Sequence, residues 1–289
     1  MHYFDHNATH PLSQTAKAAW IEATERYPAN PSSPHRWGAR AAHAIEQARE
    51  QLAGFLGCPV HEITWTSGAT ESNNLILRHL AAQTQGPVLV SSIEHPSIRT
   101  TARSLLGQRA HEIPVHRNGV VDVPWIQQRL SSEPVAAVIV MAANNETGVV
   151  QPWQLISDAC RQARVPYVCD AAQWLGKRPA AGLGQCTIVT GCAHKFGGPL
   201  GVGFIKAPAD LLPLHLGGPQ EDGRRAGTEN VPGILSMLAA LQERETLMAP
   251  PQPVSPAESG PDSIEVRMRQ RDHFVQALKA ALPDVEVVG

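Results

Sequence analysis

No two cysteines in this sequence stand in a CxxC spacing, and the five that occur, Cys58, Cys160, Cys169, Cys186 and Cys192, are odd in number. A disulfide framework and a zinc knuckle both lose their sequence signature, and reduced, mostly buried thiols are the expectation. Nothing in the chain approaches the ~18 uninterrupted apolar residues of a membrane helix. The opening Met1-His2-Tyr3-Phe4-Asp5 has neither the basic nor the apolar segment of a secretory signal. A cytoplasmic protein with no membrane contact is therefore expected. Charge of one sign is also lacking: 24 Lys and Arg stand against 26 Asp and Glu, interspersed, for a net charge of −2. No face attracts a polyanion on that balance, so nucleic acid is not an expected partner. There is no internal repeat, and no GK[ST] ending that would cradle a nucleoside triphosphate.

What is present is a chain of 289 residues, long enough for one substantial core and a smaller appendage. Strand-length apolar runs alternate with helix-length amphipathic stretches. The strands are expected at 63–66, 87–92, 135–141, 165–170, 187–190 and 202–205, and the helices at 15–27, 39–56, 72–82, 124–130, 152–163 and 233–247. This alternation predicts an α/β fold with a mainly parallel sheet covered by helices on both faces. Ligands of such sheets sit beyond the carboxyl ends of the strands, so polar residues just after strands carry the most information. Two regions depart from the pattern. The first 34 residues include the loop-like Asn30-Pro31-Ser32-Ser33-Pro34-His35, and 249–261 carries five prolines that cannot continue a helix. Residues 1–248 are read as a large domain opening with an N-terminal arm, and 249–262 as a proline-rich linker. Residues 263–289, a helix and then a strand at 285–288, read as the start of an incomplete small domain.

Three sites stand after strands. Thr66-Ser67-Gly68-Ala69-Thr70-Glu71-Ser72 reads as strand, tight turn and helix start, where small residues, free amides and the helix dipole favour a phosphate; it also reads as an ordinary helix cap. Asp170 ends the run Val165–Cys169, and a carboxylate there suits a protonated pyridine nitrogen, a helix cap or an ion pair, with Gln173 three residues on. Lys195 follows an apolar strand among small neighbours, Gly191-Cys192-Ala193-His194 before it and Phe196-Gly197-Gly198-Pro199 after, where an amine becomes a usable nucleophile for a carbonyl. Together these are the three handles that a pyridine-aldehyde-phosphate requires. His95, after the run Val88–Glu94, could stack on a planar ring and move protons. Asn145 lies in a paired-amide stretch suited to a turn or to an oxygen-rich ligand. His2, His6 and His10 repeat every four residues, but Asn7 and Pro11 oppose the helix that would align them, and no metal site is read there.

These segments resemble the cysteine desulfurases of the NifS/IscS type, within the class-V aminotransferase-like pyridoxal-phosphate enzymes. The resemblance is carried by Tyr3–Thr9, Asn30–Ser33, Thr66–Asn73, Glu94-His95, Asn144–Val149, Asp170–Gln173, Ala193–Pro199 and Gly223–Asn230, and runs over nearly the whole chain. It implies the aspartate-aminotransferase-like fold type I with pyridoxal 5'-phosphate as cofactor. It also implies a homodimer, L-cysteine as substrate and, after conversion to L-alanine, a persulfide passed to a sulfur-acceptor protein for iron-sulfur or other sulfur-transfer pathways. Carried over by position, Lys195 holds the cofactor as a Schiff base and His95 lies over the ring. Asp170 holds the ring nitrogen, Gln173 bonds the phenolic oxygen, and Asn145 faces that oxygen or the substrate carboxylate. The phosphate is contacted by Ala69, Thr70 and His194, and by Thr228 of the partner subunit. At Cys192 the family usually has a serine, a better donor to the phosphate. The family's nucleophilic cysteine, in an SGSAC-like loop, and its carboxylate-binding arginine have no counterpart in these 289 residues, so this chain alone is expected to bind the cofactor without turnover. Another class-V lyase or transaminase, or a noncatalytic scaffold of the same fold, are the competing expectations.

Overall fold

The computed structural model describes residues 2–210, 216–248 and 264–285. The proline-rich stretch read as a linker, and all but the first residue of the strand read at 285–288, lie outside those residues.

Two helices come first, α1 (Gln14–Arg26) and α2 (Arg36–Leu56). They begin where side chains replace the missing helical acceptors: Ser13 Oγ accepts from Ala16 N, and His35 Nδ1 from Gly38 N. The second ends at Gly57, whose φ of 74° is the left-handed stop that glycine adopts without strain. The alternation predicted from the sequence then follows: β1 (Ile63–Thr66), α3 (Ala69–Gln83), β2 (Val88–Ser91), α4 (Pro96–Leu106), β3 (Ala110–Ile113), α5 (Val123–Ser132) and β4 (Ala137–Ile139). After these come α6 (Trp153–Ala163), β5 (Tyr167–Asp170), β6 (Ile188–Cys192), β7 (Gly203–Lys206), α7 (Val231–Met248) and α8 (Ile264–Ala281).

The strands form one sheet in the order β1-β7-β6-β5-β4-β2-β3. Five of them, β6, β5, β4, β2 and β3, run parallel, while β7 is antiparallel to both its neighbours, β6 and β1. Successive residues of a strand point to opposite faces, and each face meets its own helices. Ala137 and Ile139 of β4, with Val88, Val90, Val168 and Ile188, pack against Leu75, Leu80, Ile98 and Ala102 of α3 and α4. Val138, with Leu89, Tyr167, Val189 and Phe204, packs on the other side with residues of α2, α6 and α7.

Two elements and one direction escaped the sequence reading. The edge strand β3 is half polar, with His111 and Glu112 among its four residues, so it lacks the apolar run of an interior strand. The helix α4 shows only Ile98, Ala102 and Leu106 as an apolar stripe, and its start rests on Pro96 at the first helical position and on His95 as cap. The reversed β7 carries no local signal, because direction is set by the connections before and after a strand.

Candidate active site

The carboxyl ends of the parallel strands converge on one place. There β5 ends in Asp170, a buried carboxylate with one donor on each oxygen: Ala172 N to Oδ1 at 2.9 Å and Asn73 Nδ2 to Oδ2 at 2.9 Å. Each oxygen keeps a further acceptor position. Burial raises the Asp170 pKa, and the two hydrogen bonds and the charges of His95 and Lys195 draw it back. A cationic donor is what such a group lacks. Next to it, β6 ends in Cys192 and passes into a single 3₁₀ turn, Ala193–Lys195, which sets His194 and Lys195 on the rim.

The third wall is the turn from β1 into α3. Gly68, at φ 152°, caps α3 without a side chain, so the first-turn amides face outward as they do at anion sites. The strand β7 passes directly beneath: a Cβ on Gly203 would stand 2.5 Å from Gly68 Cα and 2.6 Å from Gly191 O. Glu71 ties the turn together, accepting from Ser67 N at 2.7 Å and from Arg225 Nε at 2.8 Å. Burial alone would raise the Glu71 pKa, but those hydrogen bonds and the arginine charge outweigh it and hold it low.

A cavity of about 230 Å³ joins these walls. Ala69 and Thr70 line it from the turn, Asp170 and Gln173 from the floor, Cys192, His194 and Lys195 from one side, and His95 and Asn145 from the other. Thr228 is not among them: it is exposed in the loop after the 3₁₀ turn Gln220–Gly223. Arg225 anchors that loop on Glu71 of the same chain.

The N-terminal arm closes over the lysine. Lys195 Nζ donates to the carbonyls of Asn7 and Ala8, both at 2.8 Å. Gln173 Nε2 donates to the same Asn7 carbonyl at 2.9 Å, and Lys177 holds the other end of that amide by donating to Gln173 Oε1 and to Asn7 Oδ1. Burial, then the charge of Lys195, lowers the Lys177 pKa to about 8. His10 N to His194 O at 2.8 Å and Ser13 N to Gly197 O at 2.9 Å pin the arm in place. His2, His6 and His10 lie in this non-helical arm and form no stripe. Asn7, Lys177, Asn73 and Ser97 were not read as site residues from the sequence; each is a polar residue with a partner far away along the chain or on another element.

The match to known proteins now bears on this geometry. The model of the family described as aminotransferase class-V covers residues 2–247. The chain belongs to that family. A cysteine desulfurase IscS of Dictyoglomus turgidum is 33% identical over 298 residues, spanning 99% of this chain and 72% of that protein. Among solved structures, a NifS-like protein from Rickettsia africae superposes with a TM-score of 0.84 at 28% identity, covering 100% of this chain and 77% of that one. The protein SspA, solved in complex with cysteine, gives 0.79 at 27% identity and 96% and 78% coverage. The fold is therefore the type I fold of pyridoxal-phosphate enzymes, and this is a chain of the cysteine desulfurase group of the class-V family, whose cofactor is pyridoxal phosphate.

The walls of the cavity fit that cofactor. An anionic carboxylate with open acceptor positions suits a protonated ring nitrogen. The glycine-cradled helix start suits a phosphate, and Lys195 suits an aldehyde carbon. The five thiols fit sulfur chemistry poorly. Cys160, Cys169, Cys186 and Cys192 are buried, and Cys58 is half-buried. Burial pushes the thiol pKa of Cys58 to about 11 and those of Cys160 and Cys192 to about 12, and raises that of Cys169 as well. A thiol so held is not the thiolate that attacks sulfur.

Proposed function

We propose that this protein acts in converting L-cysteine to L-alanine, with Lys195 and His95 as its catalytic groups, and that the sulfur leaves to a thiolate other than its five cysteines, so that these 289 residues alone do not turn over. The observation that carries the reading is the single cavity in which Lys195, Asp170, His95 and the Gly68–Thr70 turn meet. Bound there, pyridoxal phosphate supplies an electron sink for the carbon that bears the substrate amine. Asp170 would keep the ring nitrogen protonated by offering it a buried carboxylate, and Ala69, Thr70, His194 and Cys192 would bind the phosphate. Gln173 would bond the phenolic oxygen, and Asn145 would orient that oxygen or the substrate carboxylate. Lys195 would hold the cofactor and would move the proton of the substrate's α carbon at Nζ. The arm of Asn7 and Ala8 keeps water from that nitrogen on one side.

Thr228 acts in a homodimer, reaching the phosphate of the partner subunit; its exposure and its absence from the lining of its own cavity support that assignment. A sulfur-acceptor protein, iron-sulfur or related sulfur-transfer pathways, and a cytoplasmic location complete the reading. The cysteine-bound structural neighbour supports the substrate. The test loads the 289-residue chain with the cofactor and supplies cysteine and a reductant, measuring alanine and sulfide. Cofactor binding with a visible absorbance band that Lys195→Ala abolishes, without catalytic turnover, is expected. Turnover by the chain alone would defeat the nucleophile argument, and its loss on replacing one of the five cysteines would identify that residue as the sulfur acceptor. A band retained by Lys195→Ala after removal of free cofactor would remove the lysine from its role.

A further inference from the structure

Behind the cavity, buried polar side chains connect its carboxylate to its histidine. Asn73, on α3, is 1% exposed and sends its amide nitrogen to two acceptors, Asp170 Oδ2 at 2.9 Å and Ser97 Oγ at 2.9 Å. A carboxylate oxygen that faces the pyridinium as an anion only accepts, which fixes the nitrogen end of this amide toward Asp170. Its oxygen end receives Thr190 Oγ1 at 2.8 Å, so both hydrogens and one acceptor position of the Asn73 amide are used. Ser97 Oγ, having accepted from Asn73, has one hydrogen to give, and the neighbouring acceptor is His95 Nδ1 at 2.9 Å. The same ring nitrogen receives the backbone N–H of Ser97 at 3.1 Å, which makes His95 the cap of α4. A nitrogen that accepts from two donors carries no proton of its own. The ring hydrogen then belongs on Nε2, on the opposite edge of a ring that lines the cavity.

We propose that Asn73 and Ser97 are positioning residues that couple the two cofactor-facing groups, aiming the Asp170 carboxylate and fixing His95 as the neutral ring with its hydrogen on Nε2. His95 thus presents an N–H donor to whatever lies in the cavity. This inference rests on the cofactor reading for the meaning of Asp170, but not for the state of the histidine, which is a property of the chain itself.

The experiment therefore has two separate readouts. The first records the side-chain nitrogen NMR of His95 in protein without added cofactor near pH 8, assigned by its loss in His95→Gln. Two hydrogen bonds to Nδ1 predict that the Nε2–H form exceeds the Nδ1–H form by on the order of tenfold or more. Ser97→Ala, which removes one of the two, should shift the pattern toward a mixture of forms. The second readout is cofactor affinity by equilibrium dialysis, where Asn73→Ala should weaken binding about tenfold by leaving one Asp170 oxygen undirected. Dominance of the Nδ1–H form in the unsubstituted protein would overturn the proposal. So would a Ser97→Ala protein, folded by circular dichroism, that keeps the His95 nitrogen pattern unchanged. An Asn73→Ala protein that is folded and binds the cofactor as tightly as the parent overturns the coupling to Asp170. If that variant does not fold, Asn73→Ser, which keeps a donor of smaller reach, is measured in its place against the same expectation. A parent chain that binds no cofactor would defeat the functional reading, and the NMR readout would still decide the histidine.

Discussion

The buried ion pair between Arg49 and Glu221 is the place where one substitution should do most damage away from the cavity. Arg49 Nη1 and Nη2 meet Glu221 Oε2 and Oε1 at 2.8 and 2.9 Å, and the Glu221 side chain is 2% exposed. Arg49 also donates to Ile63 O at 2.8 Å, and Glu221 Oε2 accepts from Trp65 N at 2.8 Å, so the pair bolts the loop before α7 onto β1. Glu221→Ala leaves the Trp65 N–H without its acceptor and the Arg49 guanidinium with only the exposed Glu46 carboxylate, and removing one partner of a buried pair costs about 3–5 kcal/mol. For a chain of this size each kcal/mol moves Tm by roughly 2–4 °C, so a fall of about 6–20 °C is expected. The double substitution Arg49→Met with Glu221→Leu removes both charges and should recover part of the loss, leaving Trp65 N–H and Ile63 O unpaired. Urea unfolding followed by circular dichroism reads both variants. The reasoning fails if Glu221→Ala stays within about 1 kcal/mol of the parent, or if the double variant is the less stable of the two. Glu221 also sits at φ 52°, so Glu221→Gly, which relieves the backbone while losing the same contacts, should be no less stable than Glu221→Ala.

Three further outcomes are expected. Glu94 is buried on Met141 N at 2.7 Å, and burial, with the neighbouring Asp170 charge, pushes its pKa from 4.5 to about 8. The folded state therefore holds a proton that the unfolded state releases between those values, and stability should decline as pH rises from 4.5 to about 8. Glu94→Gln, which keeps the acceptor, should remove a decline on the order of a few kcal/mol, and parallel stability–pH curves for the two proteins would contradict the assignment. Gly203→Ala forces a Cβ into the backbone of Gly68 and Gly191, so it should cost about 1–3 kcal/mol and weaken phosphate-dependent cofactor binding; a variant of unchanged affinity would separate that turn from the phosphate. Cys192→Ser replaces a weak donor by a better one beside His194 and should hold or tighten cofactor binding by dialysis, whereas a marked loss would place the phosphate elsewhere.

The groups legible in the sequence are those that combine an unusual chemistry with a strand end. Asp170 and Lys195 follow apolar runs, and the small residues after Thr66 announce a tight turn; the structure places all three on one cavity. The interior strands and most helices were legible because burial forces periodicity on them. The edge strand β3 and the helix α4 were not, since half of their residues face solvent or serve as polar contacts. Asn73 and Ser97 look like ordinary polar positions near the starts of helices. The meaning of Asn73 comes from Asp170 and Thr190, about a hundred residues away, and that of Ser97 from Asn73 on another helix, and no local pattern contains either. The same holds for Asn7, which reaches Gln173 and Lys195 across most of the chain.

The strand order has a consequence for how the molecule is made. β1, which delivers the turn at Gly68, lies at one edge of the sheet, and among the described strands only β7 pairs with it. During synthesis Ile63–Thr66 therefore leaves the ribosome long before Gly203–Lys206, and its backbone has no ladder to join until nearly 140 further residues have followed. Closing a loop of that length is slow compared with forming the local helices. The cradle proposed for a phosphate at Ala69 and Thr70 would therefore be complete only once the last strand of the sheet has paired with β1.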